Sequence, residues 1–137
     1  MPPEPGLAAT VELTVKEGDT AEALRSGQVP MLATPRLVAL AEEATCRALD
    51  GALEPGMTTV GMKVQINHLM PVPVAGSVRA EAKLEKVEGR RLGFTVSITN
   101  DQGLVAAAKV TRVVVNRDRF IEKARSPHDG DRSPLAE

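Results

Sequence analysis

From Val78 to Glu85 apolar and polar residues alternate without a break, Val78, Ala80, Ala82 and Leu84 against Arg79, Glu81, Lys83 and Glu85. Period two describes a strand with one face on a core and the other in water. The same alternation recurs where Val60, Met62, Val64 and Ile66 face away from Gly61, Lys63, Gln65 and Asn67, and again where Leu92, Phe94, Val96 and Ile98 oppose Gly93, Thr95, Ser97 and Thr99. An opening strand is predicted over Ala9 to Val15 and a last one over Leu104 to Asn116. Pro71, Pro73 and Gly76, then Glu88 to Arg90, then Asn100 to Gly103 punctuate these runs. Short polar turns of this kind join strands that pair antiparallel.

One stretch reads with the helical period instead. Thr34 is a predicted N-cap, Pro35 suits the first helical position, and Gly51 is a natural stop. A short helical turn is also predicted over Thr20 to Arg25. One helix must then cover the apolar face shared by the strands, which makes the fold class α+β with an antiparallel sheet. The domain is predicted over residues 9–125, after a flexible segment 1–8 and before a disordered tail 126–137 that contains His128.

Projected at 100° per residue from Leu37, the helix places Leu40, Ala44, Leu37, Ala48, Ala41, Thr45, Val38 and Leu49 on one arc, its core face. Arg36, Glu43, Arg47 and Asp50 form a narrow wet face, with Glu43 and Arg47 at the i, i+4 spacing of a surface ion pair. Glu42 falls at about 140°, between the apolar residues Leu49 and Val38 on one side and Cys46 and Ala39 on the other. A carboxylate there costs free energy unless it has a partner or a function, so Glu42 and not Glu43 is the candidate.

His68 has the parity of Val60, Met62, Val64 and Ile66 and is predicted to point to the same buried side, as a possible acid/base partner of Glu42. Arg112 has the parity of Leu104, Ala106, Ala108 and Val110, facing inward to pair with Glu42 or a ligand anion. Each has a plainer alternative: Thr34 as a cap, His68 as a hydrogen-bonded strand-end residue, Arg112 as a structural ion-pair member. Arg90 and Arg91 are expected in solvent, and Cys46 as a small packing residue.

Composition narrows the function. The 137 residues hold 17 Lys plus Arg against 18 Asp plus Glu, a net charge of -1, with two Phe and no Trp or Tyr. That leaves neither the cationic surplus nor the stacking platforms of a nucleic-acid binder. The longest apolar runs, Leu37 to Ala41 and Leu104 to Ala108, are far short of the roughly 20 residues that span a bilayer. A single cysteine excludes an internal disulfide and a Cys-based zinc cage, and the opening MPPEPG lacks the cations and apolar stretch of an export signal. A cytoplasmic protein is expected. No phosphate loop, dinucleotide fingerprint, nucleophile elbow or HExxH metal motif occurs.

Three segments, ATPRLVALAEEATCRAL from Ala33, GMKVQINHLMPVPVAGSV from Gly61 and VEGRRL from Val87, together with TRVVV, resemble the fluoroacetyl-CoA thioesterase family of hotdog-fold proteins. The resemblance implies an antiparallel sheet wrapped around one long helix. It also implies hydrolysis of a small acyl-CoA without metal or redox cofactor, and a homodimer whose sheets meet edge to edge. It assigns a catalytic group to Thr34, Glu42 and His68, and substrate contacts to Gly61 and Arg112. Glu42 would attack the thioester carbonyl or activate water, His68 would shuttle protons, and Thr34 would orient Glu42 or the acyl group, with the helix N-terminus helping to hold an oxyanion. The segment SGQVPML ahead of Ala33 has no aromatic residue where the fluoroacetyl-specific enzyme carries an aromatic lid, which points to a different short acyl group. A hotdog hydratase is the enzyme alternative, although its Asp-x-Asn-Pro-x-His run is missing. An acyl-CoA or lipid-metabolite binding module is the non-enzyme alternative.

Overall fold

Gly89 adopts a φ of +62°, a left-handed conformation that lets the chain reverse between two long strands. These are β3, Ser77–Glu88, and β4, Arg91–Asn100. With β1, Ala8–Thr14, β2, Met57–His68, and β5, Gly103–Asn116, they form one sheet in the order β1-β3-β4-β5-β2. Every pairing is antiparallel. The computed structural model describes residues 2–126, so most of the predicted tail, including His128, lies outside the described residues.

A four-residue helix, α1, Ala21–Leu24, is capped by the Thr20 side chain, which accepts from the Ala23 N–H. The main helix, α2, runs Thr34–Ala48 and buries Leu37, Leu40, Ala41, Ala44, Thr45 and Ala48. Helical periodicity assigns all six to the core face, together with Leu49, which is buried just past the helix, and Val38, which is half-buried. Its buried apolar members pack in one cluster with Ala80, Ala82 and Leu84 of β3, Phe94, Val96 and Ile98 of β4, and Ala106, Ala108 and Val110 of β5. Alternation in the sheet and a 3.6-residue period in the helix thus supply the two halves of one core.

The structure departs from the periodicity in several places, one of them at the start of β5, where Leu104, expected inside, is 42% exposed and Val105 is buried instead. Ala33, not Thr34, is the N-cap residue of α2, and Thr34 is its first helical residue. The register of β2 against β5 slips between Gly61 and Lys63, so the parity expected from Val60 through Ile66 is not continuous. Met62, expected inside, is 37% exposed, while Val64, Ile66 and His68 remain half-buried. A third helix, α3, Arg117–Arg125, follows β5 and buries no residue, which is why no apolar stripe announced it. It starts where Asn116 Oδ1 accepts the Arg119 N–H at 3.0 Å. Among the described residues no helix is long and apolar enough to cross a membrane.

Leu40 is fully buried at the centre of α2. Leu40→Ala is expected to cost about 2–5 kcal/mol, read in urea as a lower midpoint at unchanged slope, whereas Glu81→Ala on the wet face of β3 stays within about 0.5 kcal/mol.

Candidate active site

His68 is the last residue of β2, and the turn beyond it fixes its ring. The register of β4 against β5 slips between Ile98 and Thr99, and Val105 is left without a cross-strand partner. Its carbonyl accepts the N–H groups of Leu69 and Met70, at 2.7 and 3.3 Å. The chain turned in this way brings the Met70 carbonyl within 2.9 Å of His68 Nε2. A carbonyl only accepts, so Nε2 carries the hydrogen and neutral His68 presents an unprotonated Nδ1. That nitrogen lies 2.8 Å from Thr34 Oγ1, which donates to it. Thr34 therefore spends its hydroxyl on His68 and not on capping α2.

The start of α2 is pinned from below. Ala33 N–H donates to the Asp19 carbonyl at 2.9 Å, and Arg36 Nε pairs with Asp19 Oδ1 at 3.0 Å. Arg36 and Leu37 N–H both turn to the Ala33 carbonyl, and Pro35 has no N–H. The first helical turn thus offers an incoming group the Thr34 N–H beside the Thr34 hydroxyl. Thr34 and His68 form part of the wall of an open cavity of about 450 Å³, with Val29, Met31, Leu69 and Met70 among its apolar lining.

Glu42 occupies a second cluster. Arg112 of β5 is 6% exposed, and its Nη1 reaches Glu42 Oε2 at 3.4 Å. Gly61 is the cross-strand partner of Arg112. A Cβ at Gly61 would overlap Glu42 Oε2 and stand 3.6 Å from Arg112 Nη1, so the carboxylate fills the space that a side chain there would take. Exposure does not separate the two glutamates, at 35% for the Glu42 side chain and 41% for Glu43. Their partners do: Glu43 pairs with Arg47 on its own helix at 3.2 Å, and Glu42 reaches across to the sheet.

Thr34, Glu42, His68, Gly61 and Arg112 all fall at the interface of α2 with β2 and β5, but as two groups. Eight residues separate Thr34 from Glu42, which at 1.5 Å rise per residue is about 12 Å along the helix axis. Periodicity also missed Thr59, which accepts from Arg112 Nε at 2.8 Å and whose carbonyl accepts from Nη2 at 3.1 Å. Its only mark is its place two residues before Gly61 on the same strand.

Other expectations change. Cys46, read as a packing residue, is exposed. Arg91, expected in solvent, is half-buried, and its Nε is shielded without a hydrogen-bond partner. Among the described residues no three His, Cys, Asp or Glu side chains gather as a metal site.

Residues 15–118 match the family described as fluoroacetyl-CoA-specific thioesterase. The fluoroacetyl-CoA thioesterase of Streptantibioticus cattleyicolor is 33% identical over 95 residues, 69% of this chain and 68% of that protein. A solved variant of the fluoroacetyl-CoA-specific thioesterase FlK, in complex with fluoroacetate and CoA, superimposes with a TM-score of 0.80 at 27% identity, covering 86% of this chain and 99% of that one. A Thermus thermophilus member of the thioesterase superfamily does so with a TM-score of 0.83 at 28% identity, over 91% and 93% of the two chains. Sequence match, helix-on-sheet topology and structural neighbours agree: the chain belongs to the fluoroacetyl-CoA-specific thioesterase family and is a hotdog-fold thioester hydrolase.

Proposed function

We propose that the protein hydrolyses a small acyl-CoA to the free acid and coenzyme A, with Glu42, His68 and Thr34 as the reacting group and Gly61 and Arg112 against the substrate. The observation that carries this reading is the carboxylate of Glu42 set over a side-chain-free Gly61 and beside the buried Arg112. A bound CoA in the FlK relative supports the choice of carrier. Glu42 either attacks the carbonyl, forming a mixed anhydride that water then cleaves to the free acid and Glu42, or takes a proton from a water that attacks the carbonyl directly; in both, the acyl–sulfur bond breaks as the thiolate of coenzyme A leaves with a proton.

The Thr34–His68 pair suits a proton carrier, because both protonation states of the ring keep their hydrogen bonds. When Nδ1 takes a proton it donates to Thr34 Oγ1, and the hydroxyl hydrogen swings out to face a developing oxyanion. Nε2 stays on the Met70 carbonyl throughout. No heavy atom has to move.

The functional protein on this reading is a homodimer. β2 is a 12-residue strand at the edge of the sheet, and its outer backbone groups have no strand partner among the described residues. Antiparallel pairing of two β2 strands about an axis between Val64 and Gln65 sets Gly61 opposite His68 of the partner subunit. Glu42 and Arg112 of one copy then stand beside Thr34 and His68 of the other, which closes the gap of about 12 Å. An exposed, unpaired Cys46 suits the cytoplasm, where thiols stay reduced.

Free-thiol release is to be measured on short, branched, aromatic and fluorinated acyl-CoAs. Glu42→Ala and His68→Ala are expected to lower it at least about 100-fold, and Glu43→Ala to stay within about twofold. Equal losses at Glu42 and Glu43 would sink the assignment, and binding without release from any substrate would point to a non-catalytic module. Mixing the two inactive proteins tests the shared site. A heterodimer of Glu42→Ala and His68→Ala chains keeps one complete site, so an equal mixture recovers about one quarter of wild-type activity after subunit exchange. A site built within one chain recovers none.

A further inference from the structure

Arg112 is the one charged residue buried among the described residues. A guanidinium does not shed its proton, so burial obliges the fold to supply acceptors for its N–H fork. Thr59 answers two corners of that fork, Oγ1 for Nε at 2.8 Å and the carbonyl for Nη2 at 3.1 Å. The remaining corner, Nη1, meets Glu42 at 3.4 Å, long beside the roughly 2.7–2.9 Å at which an unrestrained guanidinium–carboxylate pair settles. Glu42 Oε1 has no hydrogen-bond partner among the described residues.

The geometry points to Thr59 as a positioning residue: by holding Nε and Nη2, it limits Arg112 to one long contact with Glu42 and leaves the carboxylate free to react. This rests on Glu42 being the reacting carboxylate. Freed at Nε and held only at Nη2 by the Thr59 carbonyl, the guanidinium can turn its Nη1 corner closer to Glu42, which shortens the contact and draws the carboxylate toward β5. Thr59 reaches Arg112 diagonally, because the cross-strand partner of Arg112 is Gly61, two residues further along β2. Among the described residues the charged group that the sheet brings within ion-pair distance of Glu42 is the Arg112 guanidinium. Its ionisable neighbours on α2 are Glu43, engaged with Arg47, and Cys46 at i+4.

Thr59→Val keeps the shape and removes the acceptor at Nε, while Thr59→Ser keeps the acceptor. The carboxyl of Glu42 is to be titrated by carbon-13 NMR in the full-length wild type and both variants, its signal assigned by its loss in Glu42→Gln. A tightened pair moves the Glu42 midpoint down by about one pH unit in Thr59→Val, and Thr59→Ser stays at the wild-type value. In the thiol-release assay kcat falls about tenfold or more in Thr59→Val with KM within about twofold, and Thr59→Ser recovers it. A midpoint that stays or rises in Thr59→Val overturns the inference, as does a serine variant that behaves like valine. Should Thr59→Val fail to fold, Thr59→Cys, with its weaker acceptor, carries the same titration with a smaller shift in the same direction. The titration needs no turnover, which keeps the two readings apart. A midpoint that falls in a protein releasing no thiol removes the proposed reaction and leaves the restraint standing, and thiol release with an unmoved midpoint removes only the restraint.

Discussion

The close seating of α2 on the sheet is the contact on which the rest depends. Leu37 and Leu40 drive it, and Ala41, Ala44 and Ala48 permit it, because small side chains on the contact face let the helix axis approach the strands. At that distance a side chain just off the core stripe reaches the sheet. Glu42 on one flank reaches the guanidinium of β5, and Thr34 at the N-terminus reaches the imidazole that ends β2. Bulkier residues at the alanines would lift the helix and part both contacts, while the apolar core would stay continuous.

That seating also explains why β2, the edge strand, carries so much of the chemistry. It gives Thr59 and Gly61 to one cluster and His68 to the other. Between them lies the register slip at Gly61 and Lys63, which lets residues on either side of it share the helix-facing side although their numbers differ in parity. An unslipped strand that put Val64, Ile66 and His68 toward the helix would turn Gly61 and Thr59 to solvent and leave Arg112 buried without acceptors. The slip is thus part of how the site is built.

Periodicity made the core face of α2 legible, because a repeat of 3.6 continues through it; it also turned Arg112 inward although the alternation of β5 breaks beside it, where Val113 is buried too, and it chose Glu42 over Glu43, which differ in their partners and not in exposure. It placed His68 on the helix side although Val60 and Met62, whose parity it extended, lie beyond the slip. A slip is set by backbone hydrogen bonding across the ladder and leaves no periodic trace, apart from a glycine whose reason is visible only once Glu42 is seen against it. Thr34 reads as a cap from local preference alone, and only the strand end 34 residues away turns its hydroxyl elsewhere. Thr59 was invisible for the same reason: a threonine in a strand is ordinary until a buried guanidinium arrives diagonally from β5.

On the proposed reading Gly61 and Arg112 meet the substrate at the Glu42 cluster, where the carboxylate leaves little further room above Gly61, and selectivity among acyl groups is graded at another wall. The adaptable wall is the segment from Ser26 to Met31 beside Thr34 and His68. It is tied at both ends, by Ser26 N–H to the Ala21 carbonyl at 3.0 Å and Leu32 N–H to the Val72 carbonyl at 2.8 Å, so the path of its backbone is fixed. Its apolar side chains on the cavity are Val29, 52% exposed, and Met31, whose unbranched thioether fills gaps of different shapes. A rigid aromatic plane discriminates by fit, because a substrate of the wrong size leaves a void or a clash. Aliphatic side chains on a fixed backbone repack around substrates differing by a methylene or two, and each such difference is worth only about 1–3 kcal/mol of discrimination. On the proposed reading this wall grades short acyl groups by size and apolarity and does not single out one of them.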